Sequence, residues 1–286
     1  MKLIQQRGYR WLAAICLVAG AGSAHAAINN GAPLIQASGT GSSGELYLNV
    51  WDALATTSYS IDLGTTVDDF LAGKQLSRTW SLDQKFADWA SSTSNPLTFN
   101  VAGNSSYLGT GNANYGVVLS RREGASAPGH IAMTTLATWT TKVRDRANAL
   151  NINQVAQNPG ATATDFDADL SEVTTNTFLT SYFNKYWGTT MSISGWIGSA
   201  VVRNGETPDQ NLDLFFVHSP GGTVLGSTKA AFDKLDGFLS LDVANAKLVW
   251  TSNVAPVPVP GAAWLFLSGI LAALRLQRRT VAGSAV

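Results

Sequence analysis

The feature that most constrains this chain is an alternation of apolar and polar side chains with a period of two. It is kept up only in short runs, each cut by turn-forming residues. Leu46-Tyr47-Leu48-Asn49-Val50-Trp51 follows the Gly- and Ser-rich stretch from Ser38 to Gly44. Tyr59, Ile61 and Leu63 alternate with Ser60 and Asp62, Phe99 and Val101 follow Asn95-Pro96, and Val117-Val118-Leu119 follows Asn114-Tyr115-Gly116. Ile193, Trp196 and Ile197 sit among Ser and Gly, and Leu212-Asp213-Leu214-Phe215-Phe216-Val217 reads as a central strand. Phe238, Leu239 and Leu241 lead through a turn at Ala244-Asn245-Ala246 to a partner strand, Lys247-Leu248-Val249-Trp250. A period of two sends successive side chains to opposite faces of a sheet. Short runs of this kind between turn signals are the pattern of a sandwich or barrel. The expected fold is therefore mainly β: an antiparallel, jelly-roll-like sandwich with one or two amphipathic helical insertions.

The first of those insertions is marked by Leu136, Trp139, Val143, Ala147 and Leu150, spaced 3, 4, 4 and 3 residues apart, with Lys142, Arg144, Asp145 and Arg146 mostly between them. That is the stripe of a helix with one face on a sheet, and Asn151 or Asn153 is expected to end it. A second helix is expected from about Thr175 to Trp187, with Phe178, Tyr182, Phe183 and Tyr186 on one side. No repeat of fixed period is visible, which argues against a solenoid or propeller.

The two ends are of another character. In residues 1–26, Lys2, Arg7 and Arg10 precede a short apolar run from Trp11 to Ala21, and Ala24-His25-Ala26 follows with small residues three and one before Ala27. This is the layout of a secretory signal peptide cleaved before Ala27. About 11 apolar residues are too few to cross a hydrocarbon core of ~30 Å. The only cysteine, Cys16, would leave with it. Disulfides, thiolate metal sites and cysteine nucleophiles are then excluded together.

Residues 27–253 form the expected extracellular domain. They carry 13 Lys+Arg against 19 Asp+Glu, 13 − 19 = −6, which excludes a strongly basic nucleic-acid binder. Residues 254–286 are a third region. Prolines at 256, 258 and 260 hold an extended segment that cannot donate to a ladder at those positions. Gly261 to Leu274 is then free of charge, and Arg275, Arg278 and Arg279 close it. As a helix this run covers only about 21 Å. Trp264 at one interface and snorkelling arginines at the other extend its reach across a membrane, with the C-terminus in the cytoplasm and the body outside.

Val257-Pro258-Val259-Pro260-Gly261-Ala262-Ala263-Trp264-Leu265-Phe266-Leu267-Ser268-Gly269, the apolar run after it and Arg278-Arg279 resemble a PEP-CTERM sorting signal of the VPLPA type. Val259 stands where that variant has Leu, Gly261 stands where it has its first Ala, and seven residues follow the arginines. The resemblance covers residues from about 255 to 279. It implies processing by an exosortase and an inner-membrane-anchored precursor. It also implies a final place at the cell surface or in an extracellular matrix, in bacteria that make exopolysaccharide. It says nothing of residues 27–253.

In that body the inventory for chemistry is thin. Only His130 and His218 remain after residue 26, outside any His-Glu-x-x-His spacing, and no Gly-x-Ser-x-Gly elbow occurs. Asp165-Phe166-Asp167-Ala168-Asp169 alternates oxygen ligands as a calcium loop begins, but Leu170 and Asn176 stand where such a loop wants Gly and Glu. Asp165, Asp167 and Asp169 thus read as an acidic loop, with no metal or cofactor expected. Asp68, Asp69, Asp83 and Asp88 offer carboxylate pairs of the type that cleaves glycosidic bonds. Trp51, Trp80, Trp89, Trp139, Trp187, Trp196 and Trp250 exceed what one core needs, and aromatic faces stack on sugars. The expectation is a non-catalytic surface or matrix protein associated with exopolysaccharide. A lectin-like module and a secreted polysaccharide hydrolase are the alternatives.

Overall fold

A computed structural model describes residues 43–74, 76–105, 115–124, 131–157, 171–175, 200–202, 210–220 and 229–254. The chain divides into two units, Met1–Asn253 and Val254–Val286, and every element below belongs to the first. In chain order these are β1 (Glu45–Asp52), β2 (Thr57–Thr66), α1 (Val67–Ala72), β3 (Arg78–Ser81), α2 (Gln84–Ser91), β4 (Leu97–Ser105) and β5 (Gly116–Arg122). They continue with α3 (Met133–Gln157), β6 (Ser171–Thr175), β7 (Ala200–Val202), β8 (Leu212–His218), β9 (Ala231–Lys234), β10 (Gly237–Asp242) and β11 (Lys247–Ser252).

The protein is mainly β, with an antiparallel sheet and helices packed on it. The eleven strands form one sheet in the order β3-β11-β10-β8-β5-β4-β1-β2-β6. β7 pairs with the first residues of β4 and β9 with the last residues of β8. Every pairing is antiparallel. Pairing is therefore continuous where a sandwich would divide it between two sheets. The physical reason is visible in β1, all eight of whose residues are buried. The Asn49 side chain of β1 is covered by α3.

One core draws on both ends of the sheet, which curls to bring them together. Leu46, Leu48 and Val50 of β1 share it with Leu239 and Leu241 of β10 and with Leu248 and Trp250 of β11. Two short helices seal it. Thr66 caps α1, its Oγ1 accepting from the Asp69 amide at 3.1 Å, and Val67 and Phe70 turn inward. Phe70 meets the Trp250 ring edge-on at 5.5 Å. Asp83 caps α2, which buries Phe86, Trp89 and Ala90. Tyr59 of β2 lies 5.1 Å from Phe86 and 6.2 Å from Trp89, ring centre to ring centre. Gly237 is one close-approach point of this core: a Cβ there would collide with the Thr251 carbonyl and the Trp250 ring.

The other face is covered by α3. Leu136, Trp139, Val143, Ala147 and Leu150 pack on Tyr47, Trp51, Ala102, Val117, Leu119, Phe215 and Val217. The expected helix is thus present. It is longer than expected, however, running through Asn151 and Asn153 to Gln157. Asparagine is only a weak helix former, whereas Pro159, two residues beyond, cannot continue one. Of the second expected helix, Thr175 ends β6 and the rest lies outside the described residues.

Two hairpins share one design. β1 joins β2, and β10 joins β11, through four residues between opposed Asp52 and Thr57 and between opposed Asp242 and Lys247. In each, the last loop residue is left-handed without being glycine: Thr56 at φ 54° and Ala246 at φ 49°.

Candidate functional site

The carboxylates that suggested glycan cleavage are engaged in building helices. Asp69 Oδ2 accepts the Thr66 hydroxyl at 2.7 Å, and Asp68 Oδ1 accepts from Ser105 at 2.7 Å. Asp88 accepts from Gln84 one turn away at 2.8 Å. Asp83 does most: Oδ1 takes the Phe86 amide at 3.1 Å and the Tyr59 hydroxyl at 2.9 Å, and Oδ2 takes the Ser171 hydroxyl. It thereby ties α2 to β2 and β6. Burial, reinforced by the Asp83 carboxylate, pushes the Tyr59 hydroxyl well above the ordinary tyrosine range. A phenol so placed stays protonated and donating.

His218, at the end of β8, has Nε2 3.0 Å from Asp233 Oδ2, and its ring stacks on Phe216 at 4.8 Å. Asp233 is exposed, so the pair sits at the surface. Among the tryptophans, Trp51, Trp89, Trp139 and Trp250 are buried, and Trp80 is partly buried with its Nε1 directed at Thr65 Oγ1. Among the described residues, Trp80 is thus the tryptophan that keeps partial exposure. His130, Trp187, Trp196, Asp165, Asp167 and Asp169 lie outside the described residues, as do Ala24, Ala26, Ala27 and the whole motif from Val257 to Arg279. Among the described residues, no helix is long and apolar enough to cross a membrane, and no group of three or more His, Cys, Asp or Glu is gathered for a metal.

Asp52 is a second carboxylate held by its surroundings. Oδ1 accepts from the amides of Leu54 and Ala55 at 2.9 and 2.8 Å, while Thr93 and Asn95 donate to Oδ2 at 2.6 and 2.9 Å. Burial alone would raise its pKa. The Ala55 amide, Thr93, Asn95 and the Leu54 amide outweigh that and hold it below the ordinary value of 3.8.

The most unusual constellation lies under α3. Asn100 of β4, Asn49 of β1, Ser60 of β2 and Glu172 of β6 are direct register partners in turn, one side chain per strand across four strands. All four are buried. Asn49 Nδ2 donates to Asn100 Oδ1 at 2.9 Å, and the Ser60 hydroxyl donates to Asn49 Oδ1 at 2.9 Å. Arg146 of α3 enters above this row with no exposed surface. Its Nη2 donates to both Asn49 Oδ1 and Ser60 Oγ at 3.1 Å. Beside the row, the Ser58 and Thr174 hydroxyls lie 3.0 Å apart.

Guanidinium does not give up its proton in proteins, so Arg146 can orient and neutralise but cannot act as an acid or base. The strand pattern was read correctly at Ser60, whereas its environment and that of Arg146 were missed. The available signal was that Asn49 interrupts an otherwise apolar strand, as Asn100 does between Phe99 and Val101.

No protein-family model matches the chain, and neither a curated protein nor a solved structure matches it.

Proposed function

We propose that this chain is an exported surface or matrix protein, anchored in the inner membrane as a precursor, processed by an exosortase and associated with exopolysaccharide. One observation carries the reading: alternating prolines at 256, 258 and 260, then uncharged Gly261–Leu274, then Arg275, Arg278 and Arg279. The prolines keep the cleavage segment extended and reachable. The apolar run and its arginines hold the chain with its C-terminus inside until cutting near Pro258–Pro260 frees the body. The Ala24-His25-Ala26 signature at the other end agrees in direction.

The body is read as non-catalytic. Support comes from Asp68, Asp69 and Asp83, which are committed to helix caps and strand-to-helix ties, and from His218, bonded to a surface carboxylate. A lectin-like role has less support, because Trp51, Trp89, Trp139 and Trp250 are enclosed.

Intact-mass spectrometry of the exported protein tests the proposal. The expected species begins at Ala27 and lacks the residues beyond the proline segment. A species retaining Val286 would make the tail a permanent anchor and overturn the sorting reading.

A further inference from the structure

We propose that Arg146 is a register key, the side chain that selects one axial position of α3 on the sheet. The apolar stripe of α3 does not do so by itself. Leu136, Trp139, Val143, Ala147 and Leu150 recur at three- and four-residue intervals, so a slide of one turn lays 139 on the place of 143 and 143 on that of 147. At those two places apolar meets apolar before and after the slide, about 5.4 Å apart, while Thr135 comes to the place of Trp139 and Arg146 to that of Leu150. In the middle of the stripe, packing energy then separates the two registers through differences of shape.

Polar contacts fall along the same side of the helix, three residues apart. The Tyr115 and Thr140 hydroxyls are 3.0 Å apart, the Tyr47 hydroxyl donates to the Val143 carbonyl at 3.0 Å, and Arg146 reaches Asn49 and Ser60. They are not equally selective. A backbone carbonyl recurs at every turn, so Tyr47 would find another after a slide. Arg146 has no such substitute. Lys142 and Leu150 stand one turn to either side of it, and Lys142, Arg144 and Asp145 all keep partial exposure where Arg146 has none.

A slide would put Leu150 over Asn49 and Ser60, or Lys142 in the guanidinium's place. Either slide carries Arg146 away from these acceptors, and the one that brings Lys142 in also takes Arg146 to the buried place of Leu150, a charge among apolar neighbours at a heavy penalty. The acceptors are themselves immobilised, Ser60 donating to Asn49 and Asn49 to Asn100. The lock is therefore rigid on the sheet side. A single buried polar residue fixing helix register is the best-attested use of such groups.

The test is a distance measurement by spin labels at Leu54 and Thr138, both exposed, in the full-length chain carrying Cys16→Ser. The parent should show one narrow distance. Arg146→Met removes the key while Asn49, Ser60 and Asn100 retain their bonds to one another. It should add a second distance population, displaced by up to about 5 Å. Asn49→Leu/Ser60→Ala/Arg146→Met, which replaces the key and both acceptors of its Nη2 by apolar groups, should show the two populations more evenly. Arg146→Lys should restore much of the single distance. One narrow, unshifted distance in both methionine variants would overturn the proposal. So would failure of both to fold, because Arg146 would then be holding the fold itself and not choosing a register.

Discussion

The two faces of the sheet are both buried and are held by different physics. On the face closed by α1 and α2, the contacts are rings and aliphatic chains: Phe70 on Trp250, Tyr59 on Phe86 and Trp89. Under α3, apolar packing by Trp139, Val143 and Leu150 adjoins a row of Asn100, Asn49 and Ser60 that receives a fully buried arginine. The first face depends mainly on volume, its polar ties lying at the margins, where Tyr59 reaches Asp83 and Trp250 Nε1 donates to the Lys74 carbonyl. The second also demands particular donors and acceptors in particular places, because an unmade hydrogen bond is costly where water cannot substitute. Neighbouring strands can therefore belong at once to a forgiving core and an exacting one.

The largest effect should come from Trp250→Ala, which empties the centre of the apolar core and should cost about 3–5 kcal/mol. Urea unfolding would measure it, and Trp250→Phe should recover part of the loss because volume is what matters there. Arg146→Ala should cost about 3 kcal/mol or more. Here volume should not rescue: Arg146→Met restores bulk without hydrogen bonds and should stay close to the alanine variant. A methionine that recovers most of the stability would erase the distinction between the faces.

Asp83→Ala should cost about 2 kcal/mol, since it removes the α2 cap together with the acceptor for Tyr59 and Ser171. Asp83→Asn, which keeps a cap, should recover roughly half. If catalysis and not anchorage were the role of Asp83, the variant would leave the melting temperature unchanged.

Acid acts on Asp52. Its folded-state pKa lies below its unfolded value, so the stability it contributes is complete above the unfolded value, about 3.9. That contribution is lost as pH falls through the lower folded value. Asp52→Asn should flatten the dependence of unfolding free energy on pH below about 4 and leave its slope above pH 6 unchanged. An identical acid slope in both proteins would assign acid sensitivity to other carboxylates.

The smallest effects belong to the paired hairpins. Thr56→Gly and Ala246→Gly each relieve a left-handed non-glycine residue, while glycine loses more chain entropy on folding. The balance should be a gain of about 0.5 kcal/mol each. A loss at Thr56 alone would show that its side chain, and not only its backbone, serves the β1–β2 turn.

What could be read along the chain was local and periodic. Alternation located β1, β2, β4, β5 and β8, the Ala244-Asn245-Ala246 turn located the β10–β11 hairpin, and the 3-4-4-3 stripe located α3, because each pattern is set by backbone geometry over a few residues. The short helices α1 and α2 were not seen, although Thr66 with Asp69 and Asp83 with Phe86 are ordinary cap arrangements; those acids looked equally like catalytic pairs. The charge pattern of residues 254–286 and of the first 26 residues likewise belongs to the sequence, and it alone supports the sorting proposal.

Tertiary structure decided how strands far apart in the chain join into one curled sheet, since edge pairing depends on neighbours that no local pattern names. It decided too that Ser60 and Asn49 face a helix and not water. A polar residue in an alternating strand has the same sequence signature whether its face is wet or covered. Whether Arg146 of α3 points to solvent or to the sheet is fixed only when the helix is laid across strands whose polar side chains receive it.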